Sequence, residues 1–317
     1  MDITRKTKVV FLHRKGQTGA GSKIMRCDQL SEMCRQHLGD AFEFSVVSQR
    51  PLRNDAAIRE TCKAFNDCIV ILLKGTASMF GEEGMYKLSR NARAVCIDYV
   101  DADISGSFSK FADVHIGASR VGCQMLQRML DNCGGEASGG QVMHLTHHTD
   151  PRLLGRRCRR LDKVRAGYLG HSANVYLPGE VKKRVRVLDY ARDSKIGDTF
   201  DALCDFNMHY CVRPPARRRR TWQIAKPFTK GFTAAALGAV VITSRDTDDA
   251  VHYLGEDYPF LLESLDEAEI IEAFDKADSL LGTLTWKEAL DRMELVRSRS
   301  SPEWIMQEMR RILSTFT

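Results

Sequence analysis

The feature that most constrains this chain is an alternation. Short apolar runs and segments with helical spacing follow one another along its 317 residues, in two series. In the first series strands are expected at 8–13 (KVVFLH), 42–48 (FEFSVVS), 68–74 (CIVILLK), 94–100 (AVCIDYV), 114–119 (VHIGAS) and in the run QVMHLTH that starts at Gln141. Between them, residues 24–38 place Ile24, Leu30, Met33, Cys34 and Leu38 at helical intervals. The runs 55–65, GMYKLSRNA and 121–130 read as helices in the same way. Strands separated by helices pair in parallel, because a crossover is needed to return the chain to the same edge.

The small-residue run CGGEASGG (133–140) interrupts the pattern, and a second series follows. Strands are expected at 163–170 (KVRAGYLG), in VRVLDY, at 207–213 (NMHYCVR) and at 239–244 (AVVITS). Helices are expected at 228–238, in LDEAEIIEAFDKADSLL and in SPEWIMQEMRRILSTF. The expected fold class is therefore α/β, with two Rossmann-like doubly wound domains facing across a cleft. Their expected spans are residues 1–150 and 151–300, with a last helix over 301–317.

Composition narrows the class. Lys and Arg number 47 against 41 Asp and Glu, and a net charge of +6 permits an anionic partner without demanding one. No apolar segment approaches the roughly 20 residues needed to span a bilayer. No stretch resembles a secretory leader, so a location in the cytoplasm, or peripheral at the inner face of the membrane, is expected. The ten cysteines form no C-x-x-C pair, which removes support for a zinc ribbon or a thioredoxin-type site. Reduced, buried thiols are expected.

The first loop, HRKGQTGAGSK (13–23), carries Gly16, Gly19 and Gly21. A phosphate-gripping P-loop needs G-x-x-x-x-G-K-[ST], but here Ser22 precedes Lys23. On a helix that transposition turns the lysine by about 100° away from the phosphates. The dinucleotide order G-x-G-x-x-G also fails. A permissive turn remains, serving either close approach of a ligand to the backbone or the turn alone.

The segment KPFTKGFTAAALGAVVI carries more information. Lys226 and Lys230 bracket a helix start, Pro227 suits its first turn, and Thr229 is the expected N-cap. Two ammonium groups at the positive end of a helix make an anion site that fits a diphosphate. The plain alternative is a solvated pair of lysines.

This segment resembles the nucleotide-sugar-binding helix of GT-B-fold glycosyltransferases, in the branch with a K-P-x-T-K pattern. AGYLGHSANVYLP (166–178) is similar to the opening of their donor domain, with Tyr168, Gly170 and Asn174 at matching places. VMHLTHHTDPRLL (142–154) resembles the crossover into that domain. The resemblance implies a glycosyltransferase that moves a sugar from a nucleotide-diphosphate sugar to a glycan, lipid-linked or other hydroxyl acceptor, without metal or cofactor. It implies that the last helix returns to the first domain. Donor-binding roles fall to Lys226 and Lys230, then Thr229 and Arg213, with Gly170, His171, Asn174 and Thr233. The acceptor side falls to Gly19, Gly21 and Ser22. For the base, Asp101, His148 and His13 are the candidates, with Asp98, His147 and Asp150 nearby. Many retaining members carry two glutamates, at the places that hold Ala225 and Thr233 here. An inactive sugar-nucleotide-binding protein is therefore the alternative.

Two arginine runs, RPPARRRR (213–220) and RRCRR (156–160), stand apart. They read as solvated loops or as contacts to an anionic glycan or lipid head groups. Nucleic acid is disfavoured, since only Trp222 offers a stacking ring and no RNA- or DNA-binding motif accompanies them. HLTHHTD lacks a matching Cys or His cluster, so no metal site is expected.

Overall fold

The structure, a computed structural model, describes residues 6–16, 21–133, 140–189, 196–215 and 224–317. It opens with β1 (Thr7–Arg14). A continuous helical stretch follows, made of α1 (Gly21–Lys23), a π-helical segment (Ile24–Gln29) and α2 (Leu30–Leu38). Then come β2 (Phe42–Gln49), α3 (Asp55–Ala64), β3 (Ile69–Leu73), a 3₁₀ turn (Lys74–Met79) and α4 (Gly81–Asn91). The series continues with β4 (Ala94–Asp98), α5 (Ile104–Ser107), β5 (Val114–Gly117), α6 (Arg120–Asn132) and β6 (Gln141–His144). All six strands pair in parallel, in the order β2-β1-β3-β4-β5-β6.

β3, β4 and β5 are buried along their whole length, as expected for strands covered by helices on both faces. Polar side chains fix the helix starts. Asn54 accepts the Ala57 amide at 2.9 Å before α3, and Ser119 accepts the Gly122 amide at 3.0 Å before α6.

The second series builds β7 (Ala166–Leu169), a 3₁₀ turn (Ser172–Asn174), α7 (Val181–Arg184), β8 (Val185–Leu188), α8 (Ile196–Leu203) and β9 (Met208–Tyr210). It goes on through α9 (Thr229–Leu237), β10 (Val240–Ser244), α10 (Ala250–Leu254), β11 (Leu261–Leu262), α11 (Glu267–Leu280) and α12 (Leu284–Arg299). Its parallel sheet runs β11-β10-β9-β7-β8. Gly167 is required in β7, because a Cβ there would fall 2.6 Å from the Phe206 ring.

The last element, α13 (Pro302–Ser314), packs Ile305, Met306, Met309, Ile312 and Leu313 into the core of the first series, beside Leu30, Met33 and Cys34. Glu308 fastens it. Its carboxylate accepts the Thr146 amide at 2.7 Å, the Thr146 hydroxyl at 3.1 Å and the Trp304 indole at 3.0 Å, and it lies 3.4 Å from His144 Nδ1. The chain thus divides into two units. One comprises Met1–His147, Thr221–Pro227 and Pro302–Thr317, the other His148–Arg220 and Phe228–Ser301. Of the described residues between β9 and α9, 224–227 group with the first unit.

Candidate functional site

In a doubly wound sheet, ligands bind outside the carboxyl ends of the strands where the strand order reverses. In the second unit that point lies between β7 and β9. The Lys230 ammonium sits there. It donates to the Leu169 carbonyl at 2.7 Å and lies 4.2 Å from the centre of the Tyr168 ring. A cation over an aromatic face is held by the ring quadrupole. Tyr168 is 1% exposed, and its hydroxyl donates to the His171 carbonyl at 3.2 Å. Between them Gly170 adopts φ 152°, and a Cβ there would fall 2.7 Å from both the Lys230 ammonium and the Tyr168 hydroxyl. Only glycine lets the lysine reach this seat.

Helix α9 begins at Thr229, one residue beyond its N-cap Phe228, and no side chain caps it. This corrects the expectation that Thr229 is the cap. The cause is packing. Phe228 is buried, stacked on Tyr253 with ring centres 5.8 Å apart and edge-on to Phe232 at 5.9 Å. The aromatic anchor therefore fixes the helix start, and Pro227 lies outside it. Gly231 leaves room for the Phe228 ring, which an added Cβ would overlap. A helix start with no capping side chain presents its amides to an anion.

A residue that sequence reading missed completes this corner. His209, in register with Gly167 and Val241, is 3% exposed, and its Nε2 finds no partner among the described residues. Burial, and then the Lys230 charge, push it down to about 4, so it stays neutral. Burial pushes the neighbouring Cys211 thiol up to about 12, with the charges of Lys230 and Arg213 acting against it. The run NMHYCVR gives no signal for this, since His209 acquires its role only through the strand register.

The other expected donor residues fall as follows. Arg213 follows β9 and is half-buried. His171 and Asn174 are exposed, and the His171 Nδ1 accepts the Ala173 amide at 3.2 Å. The Thr233 hydroxyl donates to the Thr229 carbonyl at 3.0 Å. Lys226 is exposed, in the segment that groups with the first unit. A cavity of about 610 Å³ flanks the His171 loop on the β8 side, lined by Ser172, Val175, Leu177 and Arg186–Asp189, and Asp189 accepts the Ser172 amide at 3.1 Å.

In the first unit the order reverses between β1 and β3. His13 stands one residue before the end of β1, buried, with Nδ1 3.0 Å from the Arg14 carbonyl. Gly21 opens α1, exposed, and Ser22 is half-buried, while Gly19 lies outside the described residues. Asp98 does not serve as a free base. It is 2% exposed and accepts Arg26 Nε at 2.7 Å and the Val100 amide at 3.1 Å. Arg26 comes from the π-helical segment, is 1% exposed, and also donates to the Leu145 and Thr146 carbonyls at 3.1 and 3.0 Å. Asp101 is exposed in a turn with φ 50°. His147 and His148 are buried. Asp150 accepts the Arg152 amide and holds the Arg152 guanidinium at 2.9 and 2.6 Å, which makes it a structural cap.

Basic run 156–160 is largely tied down. Arg156 pairs with Asp201, Arg159 with Asp205 at 2.6 Å, and Arg157 donates to the Ala236 carbonyl at 2.8 Å. The run 217–220 and Trp222 lie outside the described residues. Among the described residues no group of His, Cys, Asp or Glu could hold a metal, and no helix is long and apolar enough to cross a membrane. Among the described residues the cysteines form no disulfide, and six of them are buried.

The chain matches no protein-family model and no curated protein by sequence. Its fold has close counterparts among solved structures. A glycosyltransferase from Rickettsia africae ESF-5 superposes with a TM-score of 0.67 at 13% identity, over 98% of this chain and 99% of that one. Anabaena HepE, solved in complex with UDP, gives 0.60 at 14% identity, over 98% and 100%. The lipopolysaccharide outer core galactosyltransferase WaaB gives 0.60 at 9% identity, over 98% and 100%. The chain has the GT-B fold. Within that frame, the Lys230 corner lies at the strand-order reversal where doubly wound sheets bind their ligands.

Proposed function

We propose that this protein is a glycosyltransferase that moves a sugar from a nucleotide-diphosphate sugar to a hydroxyl acceptor. The second unit takes the donor and the first unit the acceptor, a glycan or a lipid-linked saccharide. The observation that carries this reading is the Lys230 ammonium, seated on Leu169 and Tyr168 beside the uncapped start of α9. As the sugar departs, negative charge gathers on the diphosphate. A cation and helix amides already in place stabilise that charge without reorganising. They supply the positive charge that a metal ion provides elsewhere, so the proposed transfer is metal-independent. The neutral His209 beneath adds no charge of its own and leaves one ring nitrogen for a bound group. Thr229, Arg213, Asn174 and Lys226 are the secondary donor contacts. Asp101, His148 and His13 remain the proposed bases.

The UDP held by Anabaena HepE supports a uridine nucleotide as the first donor to test. Thermal shift with UDP, GDP, TDP and CMP sugars should raise the melting temperature for one nucleotide class, and hydrolysis of that donor should be detectable on prolonged incubation. Stabilisation without any hydrolysis would favour the alternative, a non-catalytic sugar-nucleotide-binding protein. That alternative rests on Ala225 and Thr233 standing where many retaining members carry glutamates.

A further inference from the structure

The first unit carries an unneutralised cationic edge that the donor reading does not use. β2, β1 and β3 lie side by side, with Arg14 opposite Gln49 and Leu12 opposite Leu72, so their carboxyl ends are level. Arg14 and Lys15 leave β1, Arg50 and Arg53 follow β2, and Lys74 follows β3. The Leu52 amide donates to the Met79 carbonyl at 3.3 Å, which brings the loop after β2 against the turn after β3. Arg14, Lys15, Arg50 and Arg53 are exposed and Lys74 is half-buried.

The sequence stretches RKGQTGAGS, QRPLRN and KGTASMFG at these three ends contain five cations and no carboxylate. Among the described residues none of the five is ion-paired. Several cations elsewhere in the unit are ion-paired. Lys23 is 2.7 Å from Asp28, Arg93 is 2.9 Å from Asp67, and Lys87 is 2.7 Å from Glu83. Lys74 also holds φ 50°, a left-handed conformation that is strained for a non-glycine residue. Gly16, at φ 94°, has nothing among the described residues within 4 Å of where a Cβ would stand. The edge coincides with the reversal of strand order between β1 and β3, the crevice at which such sheets bind ligands.

We propose that this edge binds the acceptor through a phosphate group, and that the acceptor is a phosphate-bearing saccharide or saccharide lipid. The word acceptor rests on the glycosyltransferase reading, whereas the phosphate site does not.

The test uses the full chain carrying Lys230→Ala, which removes the second-unit cation. Glucose 6-phosphate, glucose, and vesicles of phosphatidylcholine with or without equimolar phosphatidic acid are titrated at low salt. Binding of the sugar phosphate but not glucose, or of the phosphatidic acid vesicles but not plain ones, is expected, and the responding arm identifies the source of the phosphate. Arg14→Gln with Lys15→Gln should weaken that binding by roughly tenfold or more. Arg50→Gln with Arg53→Gln, away from the strained turn, should weaken it as a separate variant. In otherwise wild-type protein, both pairs should leave UDP affinity unchanged. The proposal is overturned if neither phosphate probe binds, if both double variants bind as before, if UDP affinity falls with them, or if a random RNA oligomer binds more tightly than either probe. Failure of UDP to bind the wild type, with phosphate binding intact, would sink the donor reading and leave the phosphate site standing.

Discussion

The carboxyl edges of the two sheets answer the same topology with differently arranged positive charge. Each follows its first strand with a glycine at positive φ, Gly16 in one and Gly170 in the other. At the second edge a single ammonium is seated on a carbonyl and a ring, beside a buried neutral histidine. At the first edge five cations stand in or near solvent, and the buried cation Arg26 is held by Asp98 and two carbonyls. A fixed charge suits a developing charge at one atom, because it needs no reorganisation. A diffuse set suits recruitment of an anion whose exact position matters less.

The sharpest way to break the comparison is to strip the first edge of its buried anchor. Asp98→Ala leaves the Arg26 guanidinium without its counter-ion and should cost about 3–5 kcal/mol. Urea unfolding, with amide exchange followed in β4 and β10, should show the loss in the first unit alone. Next, Lys230→Ala should weaken UDP binding by roughly ten- to hundredfold in calorimetry while leaving the melting temperature nearly unchanged. An equal loss from Lys74→Ala would erase the distinction between the edges. A smaller and more specific effect comes from Gly170→Ala. Its Cβ displaces the Lys230 ammonium, so donor affinity should fall, but no further once Lys230→Ala is present. Additive losses in that cycle would mean that Gly170 acts through something other than the lysine.

The smallest effects concern one hidden histidine in each unit. Burial pushes His115 down to about 4, where it stacks on Phe108 at 4.5 Å and meets the Tyr99 hydroxyl at 2.8 Å. His209 is also held near 4, by burial and by Lys230. Both stay neutral in the fold while the unfolded chain takes up protons below its ordinary value of 6.5. Stability is therefore full above that value and declines as pH falls towards 4. His115→Phe and His209→Phe should each flatten this decline in melting curves taken across pH. Lys230→Ala should reduce the His209 contribution and leave that of His115 intact.

Much of the fold was legible because buried strands advertise themselves. IVILL and VVITS are apolar on both faces, and only a helix-covered sheet accommodates that. Helix α12 was harder to read. Its buried positions Trp286, Ala289, Met293 and Val296 are spaced helically, but charged residues crowd between them. Lys230 was singled out by its place at a helix start, and Gly170 by the resemblance of AGYLGHSANVYLP. The seat of the lysine was not, since it depends on β7 and β9 becoming neighbours. Arg26 and Asp98 lie 72 residues apart and are joined by strand order and by the π-helical segment, which has no sequence signature here. The N-cap reading of Thr229 failed because hydroxyl chemistry lost to the stacking of Phe228 on Tyr253.

Helix α13 has a consequence for how such a chain is made. Its five apolar side chains close the core of the first unit, yet they are translated after the whole of α7 to α12. On the ribosome the earlier sheet must wait, with a greasy flank open, while the later one can already mature. A nascent chain stalled before Pro302 should therefore bind holdase chaperones through its oldest part, an inversion of the usual order in which domains leave the exit tunnel finished.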